Sequence, residues 1–261
     1  TAGEGGETAT GDTLNVTGGS IVTMGSGVTE FERVTLAAPT DFTANNTSGL
    51  LIIGSTAIDD ITTGNVAQTV NAGTGADLIT LGASGQTING EGGSDTVYVT
   101  GTTIDSFIDA GAGDTDVLEV TAGLVVVMDA DVVNFETVNL ASGLTSFTAN
   151  DTDNLVINGS ALGDTIITGN ALTAQTVNAG AGDDDITLGG DGQIINGDDN
   201  DDTITVNAST IASTIDGGNG SDELFVVGGG AVSMLSVGAN ITNFELVTLD
   251  EGTVFTANTD A

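Results

Sequence analysis

The chain contains no cysteine, no histidine, no tryptophan, one proline and a single cationic side chain, Arg33, in 261 residues. Each absence closes a class of function. Without cysteine there is neither a disulfide framework nor a thiolate metal site. Without histidine, lysine or cysteine no set of nucleophile, base and oxyanion donor can be assembled. Carboxylate-pair chemistry on glycosides stays formally open, but a carboxylate carried by a repeat reads as structural, so the chain is read as a non-enzyme. The lone cation faces 37 Asp and Glu, for a net charge of -36. Such a surface has no grip on phosphates and is repelled by nucleic acid and by anionic membranes. No apolar run approaches the roughly 18 residues that span a bilayer, so no membrane insertion is expected. Cations are the natural partners.

What is present argues against disorder. The chain is 39% apolar and carries 40 glycines, enough aliphatic surface to bury a core. Internal repeats organise it. "FERVTL" at Phe31, "FETVNL" at Phe135 and "FELVTL" at Phe244 recur 104 and 109 residues apart, and Met24, Met128 and Met234 keep step. This long period divides the chain into the end of one repeat (1–20), two full repeats (21–124 and 125–230) and the start of another (231–261), all in one continuous solenoid.

A shorter period runs inside each full repeat. Taking the aspartate two residues before an apolar one gives Asp59, Asp77, Asp95 and Asp116, then Asp164, Asp184, Asp202 and Asp222, spaced 18 to 21 residues apart. In "GDTDVL" Asp114 competes with Asp116. A second series, Gln68 and Gln86, then Gln175 and Gln193, repeats at 18 residues. Each unit of 18–20 residues therefore holds two short strands, with alternating polar and apolar residues, and two turns. No stripe at helical spacing appears, and glycine at this density opposes helix. A unit this small cannot bury its own apolar face and must stack on copies of itself. The fold class expected is all-β: a parallel β-solenoid of stacked 18–20-residue coils in tandem repeats of about 105. Ile61, Ile79, Val97 and Leu118, with Ile166, Ile186, Ile204 and Leu224, form one set of inward rows. Val70, Ile88 and Ile108, with Val177, Ile195 and Ile215, form the facing set.

"GGNGSDELF" (217–225) matches the nonapeptide G-G-x-G-x-D-x-U-x at every defined position, and "AGAGDDDIT" (179–187) and "AGTGADLIT" (72–80) differ in one glycine. "GDDNDDTIT" (197–205) places Asp and Asn at two glycine positions. In these stretches the sequence resembles the RTX-type calcium-binding repeat proteins, a family of bacterial S-layer, surface-filament and adhesin proteins. The resemblance implies a β-roll with Ca²⁺ between the turns of successive coils. Carried over residue by residue, it implies metal ligation by Asp59, Asp77, Asp95, Asp116 (or Asp114), Asp164, Asp184, Asp202 and Asp222. The turns would be formed by Gly73, Gly75, Gly180, Gly182, Gly218 and Gly220, and Asp12 of "GDTLNV" would serve the same role.

The chemistry is independent of the resemblance. Ca²⁺ takes six to eight oxygens from carboxylates and backbone carbonyls. One aspartate per coil sets like charges about 4.8 Å apart, where repulsion amounts to a few kcal/mol at an effective dielectric near 20. A divalent cation between coils reverses its sign. Because the nonapeptide recurs at every second turn, calcium is expected mainly along one edge, with glutamines hydrogen-bonded along the other. Asn71, Asn89, Asn178 and Asn196 are expected to form side-chain ladders. Asp183, Asp185, Asp198, Asp199 and Asp201 are expected in solvent, Arg33 as a surface contact, and Phe31, Phe135 and Phe244 in or capping the core.

The functional expectation is a calcium-dependent extracellular structural protein, exported by a prokaryote, that self-assembles head-to-tail into a surface filament or S-layer. The chain opens and stops mid-repeat without a capping helix, which suggests copies of itself as partners, with Asp12 at a junction calcium. The absence of a starting Met or signal pattern fits a processed or excised chain. The alternative is a spacer or ligand-binding section of a long RTX adhesin, with polysaccharide or ice as ligand.

Overall fold

The computed structural model describes residues 11–19, 21–99, 104, 106–113, 115–121, 125–140, 146–171, 173–207, 213–228, 231–233, 240–251 and 254–256. Asp114, Met234 and the two chain ends invoked for self-association lie outside them.

Every regular element among these residues is a β-strand, and the strands pair in parallel. A parallel pair cannot be closed by a hairpin. The chain instead passes from a strand on one face to a strand on the other and returns one coil higher, which is a parallel β-solenoid. Two compact units result: Thr1–Glu119 with Ala130–Glu136, and Val120–Asp129 with Thr137–Ala261.

In the first unit one face is a seven-stranded sheet that begins with Thr13–Val16 and includes Leu51–Ile53, Thr69–Thr74 and Thr87–Gly92; the opposite face includes Asp60–Thr62, Leu78–Leu81 and Thr96–Val99. Period-two patterning decides which side chains enter the core. Ile61 lies opposite Ile79 and Ile79 opposite Val97, in one inward row. Val70 lies opposite Ile88 and Ile88 opposite Ile108, in the facing row. All six are fully buried, and burying each such aliphatic chain contributes on the order of 1.5–3 kcal/mol.

The second unit repeats the arrangement. Ile166, Ile186, Ile204 and Leu224 stand in register on one seven-stranded sheet. Val177, Ile195 and Ile215 stand in register on the other face. The inward rows expected from the sequence are therefore present in both units. Phe135 is buried, at 1% exposed, whereas Phe31 and Phe244 are half-buried and Arg33 is exposed on its strand.

Between the strands, glycine allows turns to nest. Gly73 and Gly180 adopt φ of +110° and +104°, a region that side-chain-bearing residues rarely enter. A Cβ on either would collide with the carbonyl of Ser55 or Ser160 one coil below. The same backbone is made without glycine at Asp198 and Asn200, with φ of 73° and 86°, since short polar side chains tolerate the left-handed region better than others.

Candidate metal centre: a buried carboxylate ladder

Each motif aspartate precedes an inward aliphatic residue by two, so the strand alternation turns its side chain inward at the corner where turn becomes strand. Asp59, Asp77, Asp95, Asp116, Asp164, Asp184, Asp202 and Asp222 are each at most 2% exposed. The carboxylates are stitched coil to coil by one repeated bond. Asp59 N–H donates to Asp77 Oδ1 (2.7 Å), Asp77 N–H to Asp95 Oδ1 (2.8 Å) and Asp95 N–H to Asp116 Oδ1 (2.7 Å). In the second unit Asp164, Asp184 and Asp202 donate in the same way to Oδ1 of Asp184, Asp202 and Asp222, at 2.6, 2.9 and 2.9 Å. Asp95 N–H in its bond to Asp116 fixes which residue of "GDTDVL" belongs to the row.

The second carboxylate oxygen divides the row. In Asp59 and Asp164, Oδ2 accepts the backbone N–H of Ser55 (2.6 Å) and Ser160 (2.7 Å), four residues back. In Asp77, Asp95, Asp116, Asp184, Asp202 and Asp222, Oδ2 is buried with no hydrogen-bond partner. A buried charged oxygen without a partner is expensive, and three in succession in each unit are not incidental. Burial is the main force on these groups: it pushes Asp77 up to about 6 and Asp95, Asp184 and Asp202 up to about 7. The N–H from the coil below holds each down, and the neighbouring carboxylates raise it again. Asp116 and Asp222 are raised by burial first and then, respectively, by Glu136 and Glu245.

The site fits a hard cation by donor type. Glycine backbone lies against the unpartnered oxygens: a Cβ on Gly90 or Gly197 would run into Oδ2 of Asp95 or Asp202, and one on Gly217 would lie 2.9 Å from Oδ2 of Asp222. Gly75, Gly182, Gly218 and Gly220 are pressed equally close to the backbone of the preceding coil, which layers carbonyls of successive turns. Among the described residues no three acidic side chains converge on a point. The carboxylates come in pairs, coil over coil, so further ligands would be main-chain oxygens, which suits Ca²⁺ rather than metals that prefer nitrogen or sulfur.

The opposite edge has the same offset with a different residue. Gln68 N–H donates to Gln86 Oε1 (3.1 Å) and Gln175 N–H to Gln193 Oε1 (3.0 Å). The Nε2 of Gln68 donates to the turn carbonyls of Asn45 (2.7 Å) and Thr47 (3.0 Å), and that of Gln175 to Asn150 and Thr152, both 2.8 Å. The asparagine ladders are present: Asn89 donates to Asn71, and Asn196 to Asn178, at 2.7 and 2.8 Å. Asp183, Asp185, Asp198, Asp199 and Asp201 are exposed. Asp12 is half-exposed, and its N–H donates to Glu32 Oε2 at 2.6 Å.

Comparison with known proteins returns no matching family model, no matching curated protein and no matching solved structure. The reading of the site therefore rests on its geometry.

That geometry also shows residues the aspartate series left out. Asp116 N–H donates to Glu136 Oε2 (2.7 Å) and Asp222 N–H to Glu245 Oε2 (2.8 Å), so the glutamates of the Phe-Glu segments are the next rungs. Their signal was in the sequence. Glu32, Glu136 and Glu245 precede Val34, Val138 and Val247 by two, the same offset as every ladder aspartate.

Proposed function

We propose that this chain is a calcium-dependent structural protein of a prokaryotic cell exterior, built to assemble with copies of itself into a surface filament or S-layer. The observation that supports the calcium part is the two rows of three buried carboxylates, one row in each unit, whose second oxygen has no partner. An internal cation cannot meet them, because the chain has one Arg and no Lys and Arg33 is exposed on a strand. Calcium supplied from the surroundings would be held by paired aspartates of successive coils together with turn carbonyls, and would lock the coils in register. An exterior location suits this requirement, since a fold that depends on many weak oxygen-only sites needs a calcium-rich medium. Assembly follows from the stacking rule: a coil that binds its neighbour through parallel main-chain bonds, an asparagine ladder and a carboxylate rung offers the same features to a second copy.

The test separates the two parts. Adding calcium to metal-free chain should raise the melting temperature and produce end-to-end filaments or lattices by electron microscopy. Stabilised but isolated rods would overturn assembly and favour the adhesin-spacer reading. A melt unchanged by calcium or chelator would overturn the metal.

A further inference from the structure

The three Phe-Glu segments repeat the offset and the coil-to-coil bond of the aspartate motif with other residues. At four of the ladder aspartates, Asp77, Asp95, Asp184 and Asp202, the residue two before has positive φ: Gly75 (153°), Gly93 (142°), Gly182 (117°) and Asn200 (86°). Two before Glu32, Glu136 and Glu245 stand Glu30, Asn134 and Asn243, with φ of 68°, 63° and 58°. Offset to the inward aliphatic residue and the N–H bond from the coil below are thus common to aspartate and glutamate rungs. Two features differ. The ladder aspartates are almost fully buried, whereas Glu136 and Glu245 are exposed, since the extra methylene carries the carboxylate outward. The buried partner, in contrast, is incomplete: Oδ2 of Asp116 and of Asp222 has no hydrogen-bond partner.

We infer that each aspartate row ends in a mixed carboxylate site, Asp116 with Glu136 and Asp222 with Glu245, that takes Ca²⁺ in a more hydrated and more readily exchanged form than the all-aspartate rungs. This rests on the calcium reading proposed above and assigns it a position-dependent chemistry. The exposed glutamate leaves room for water in the six to eight oxygens that Ca²⁺ requires, so a cation there exchanges more readily than one held between two buried aspartates. Asp12 and Glu32 share the same bond, with the aspartate half-exposed, and form the most open rung of the three.

Europium(III) is a probe for these sites, because its luminescence lifetimes in H₂O and D₂O count bound waters. The full chain should show two classes, a long-lived class from aspartate pairs and a short-lived, hydrated class. Glu136→Gln with Glu245→Gln should deplete the short-lived class, leaving only the part that belongs to the Asp12–Glu32 rung. The amide oxygen of glutamine keeps the bonds from Asp116 and Asp222, so the coils should stay stacked; each single variant, checked by circular dichroism, should lose part of that class. Asp184→Asn with Asp202→Asn should deplete the long-lived class instead. A single lifetime class, or a short-lived class unchanged in the glutamate variants while the aspartate variant responds, overturns this inference and leaves the calcium row standing. No bound europium in any variant overturns both.

Discussion

In each unit the two edges solve the same problem with different charges. On each, a side chain two residues before an inward aliphatic residue accepts the N–H of the coil below. Glutamine then turns its own amide hydrogens on the turn carbonyls, as Gln68 does on Asn45 and Thr47 and Gln86 on Gly64 and Val66. Aspartate has no hydrogens to give, and its second oxygen is left without a partner from Asp77 onward and again from Asp184 onward. The glutamine edge is complete in the polypeptide, while the aspartate edge keeps second oxygens without a partner, which the proposed calcium would meet. On that proposal, stability within each unit should depend on medium through the aspartate edge only.

The largest effect expected is from chelation. At 100-fold excess over its dissociation constant an ion contributes about 2.7 kcal/mol, so a few rungs together rival the roughly 5–15 kcal/mol that holds a whole domain folded. In EDTA at pH 8 the chain should lose its β-sheet circular dichroism near room temperature, and calcium should restore it. The pH dependence without metal runs opposite to the usual acid denaturation. Burial raises Asp77, Asp95, Asp184 and Asp202 to about 6 or 7, above their unfolded value near 3.8, so the folded state binds more protons than the unfolded one across that window. Metal-free stability is then greatest below about pH 4, falls as pH rises through about 7, and is flat above. Thermal melts in EDTA at pH 4.5 and pH 8 should rank in that order, and excess calcium should invert the ranking; equal melts at the two pH values would show that the unpartnered oxygens carry no cost.

Gln193→Glu should be the next largest change, because it places an aspartate-like anion on the self-sufficient edge. Gln193 is fully buried, accepts from Gln175 and donates to Gly169. The variant should cost on the order of 3–5 kcal/mol at pH 8, with part of the loss recovered on acidification. A loss that is the same at pH 5 and pH 8 would assign the cost to shape instead of charge. The converse exchange, Asp184→Asn with Asp202→Asn, supplies amide hydrogens to the hungry edge. It should reduce calcium stoichiometry in calorimetry and raise the melting temperature in EDTA by at least a few degrees, as about 1 kcal/mol recovered would do in a chain of this size.

Much of this contrast was legible in the sequence, and the reason is periodicity. The inward rows follow from period-two alternation at a nearly fixed coil length, and Asp116 kept the two-residue offset to Leu118 although its spacing of 21 from Asp95 left Asp114 as a rival. The glutamine edge and the asparagine ladders followed because an 18-residue repeat superimposes like on like. Other features depend on a change of residue at a conserved position, which a motif search discards. Glu136 and Glu245 kept the offset but not the aspartate. Ser106 and Ser213 end the glutamine row by accepting from Gln86 and Gln193 at 3.0 Å, and neither resembles glutamine in size. Burial of the aspartates was the other missing piece, since a charge run reads as a solvated edge until the coil is closed around it. Asp184 and its neighbours Asp183 and Asp185 illustrate this: three identical letters, of which only the middle one points into the corner.

The smallest expected effect marks where the aspartate edge needs no outside help. Asp59 and Asp164 open the two rows, and each has Oδ2 tied to a serine N–H in its own turn. The serine side chain closes that turn: Ser160 Oγ accepts from Leu162 N–H (3.1 Å) and donates to Leu162 O (3.0 Å), with Ser55 and Ala57 in the same relation. These turns have serine where later coils have glycine-rich sequence, and the serine N–H on Oδ2 does what a cation between coils would do elsewhere. Ser160→Ala should leave the Asp164 contact to the main chain and remove only the hydroxyl bonds, at a cost of about 1 kcal/mol, or a few degrees in melting temperature. That cost should be the same in calcium and in EDTA. If the variant melted normally in calcium and lost stability only in EDTA, the first rung would be a metal rung like the others, and the division of the aspartate edge into self-closed and cation-dependent turns would fail.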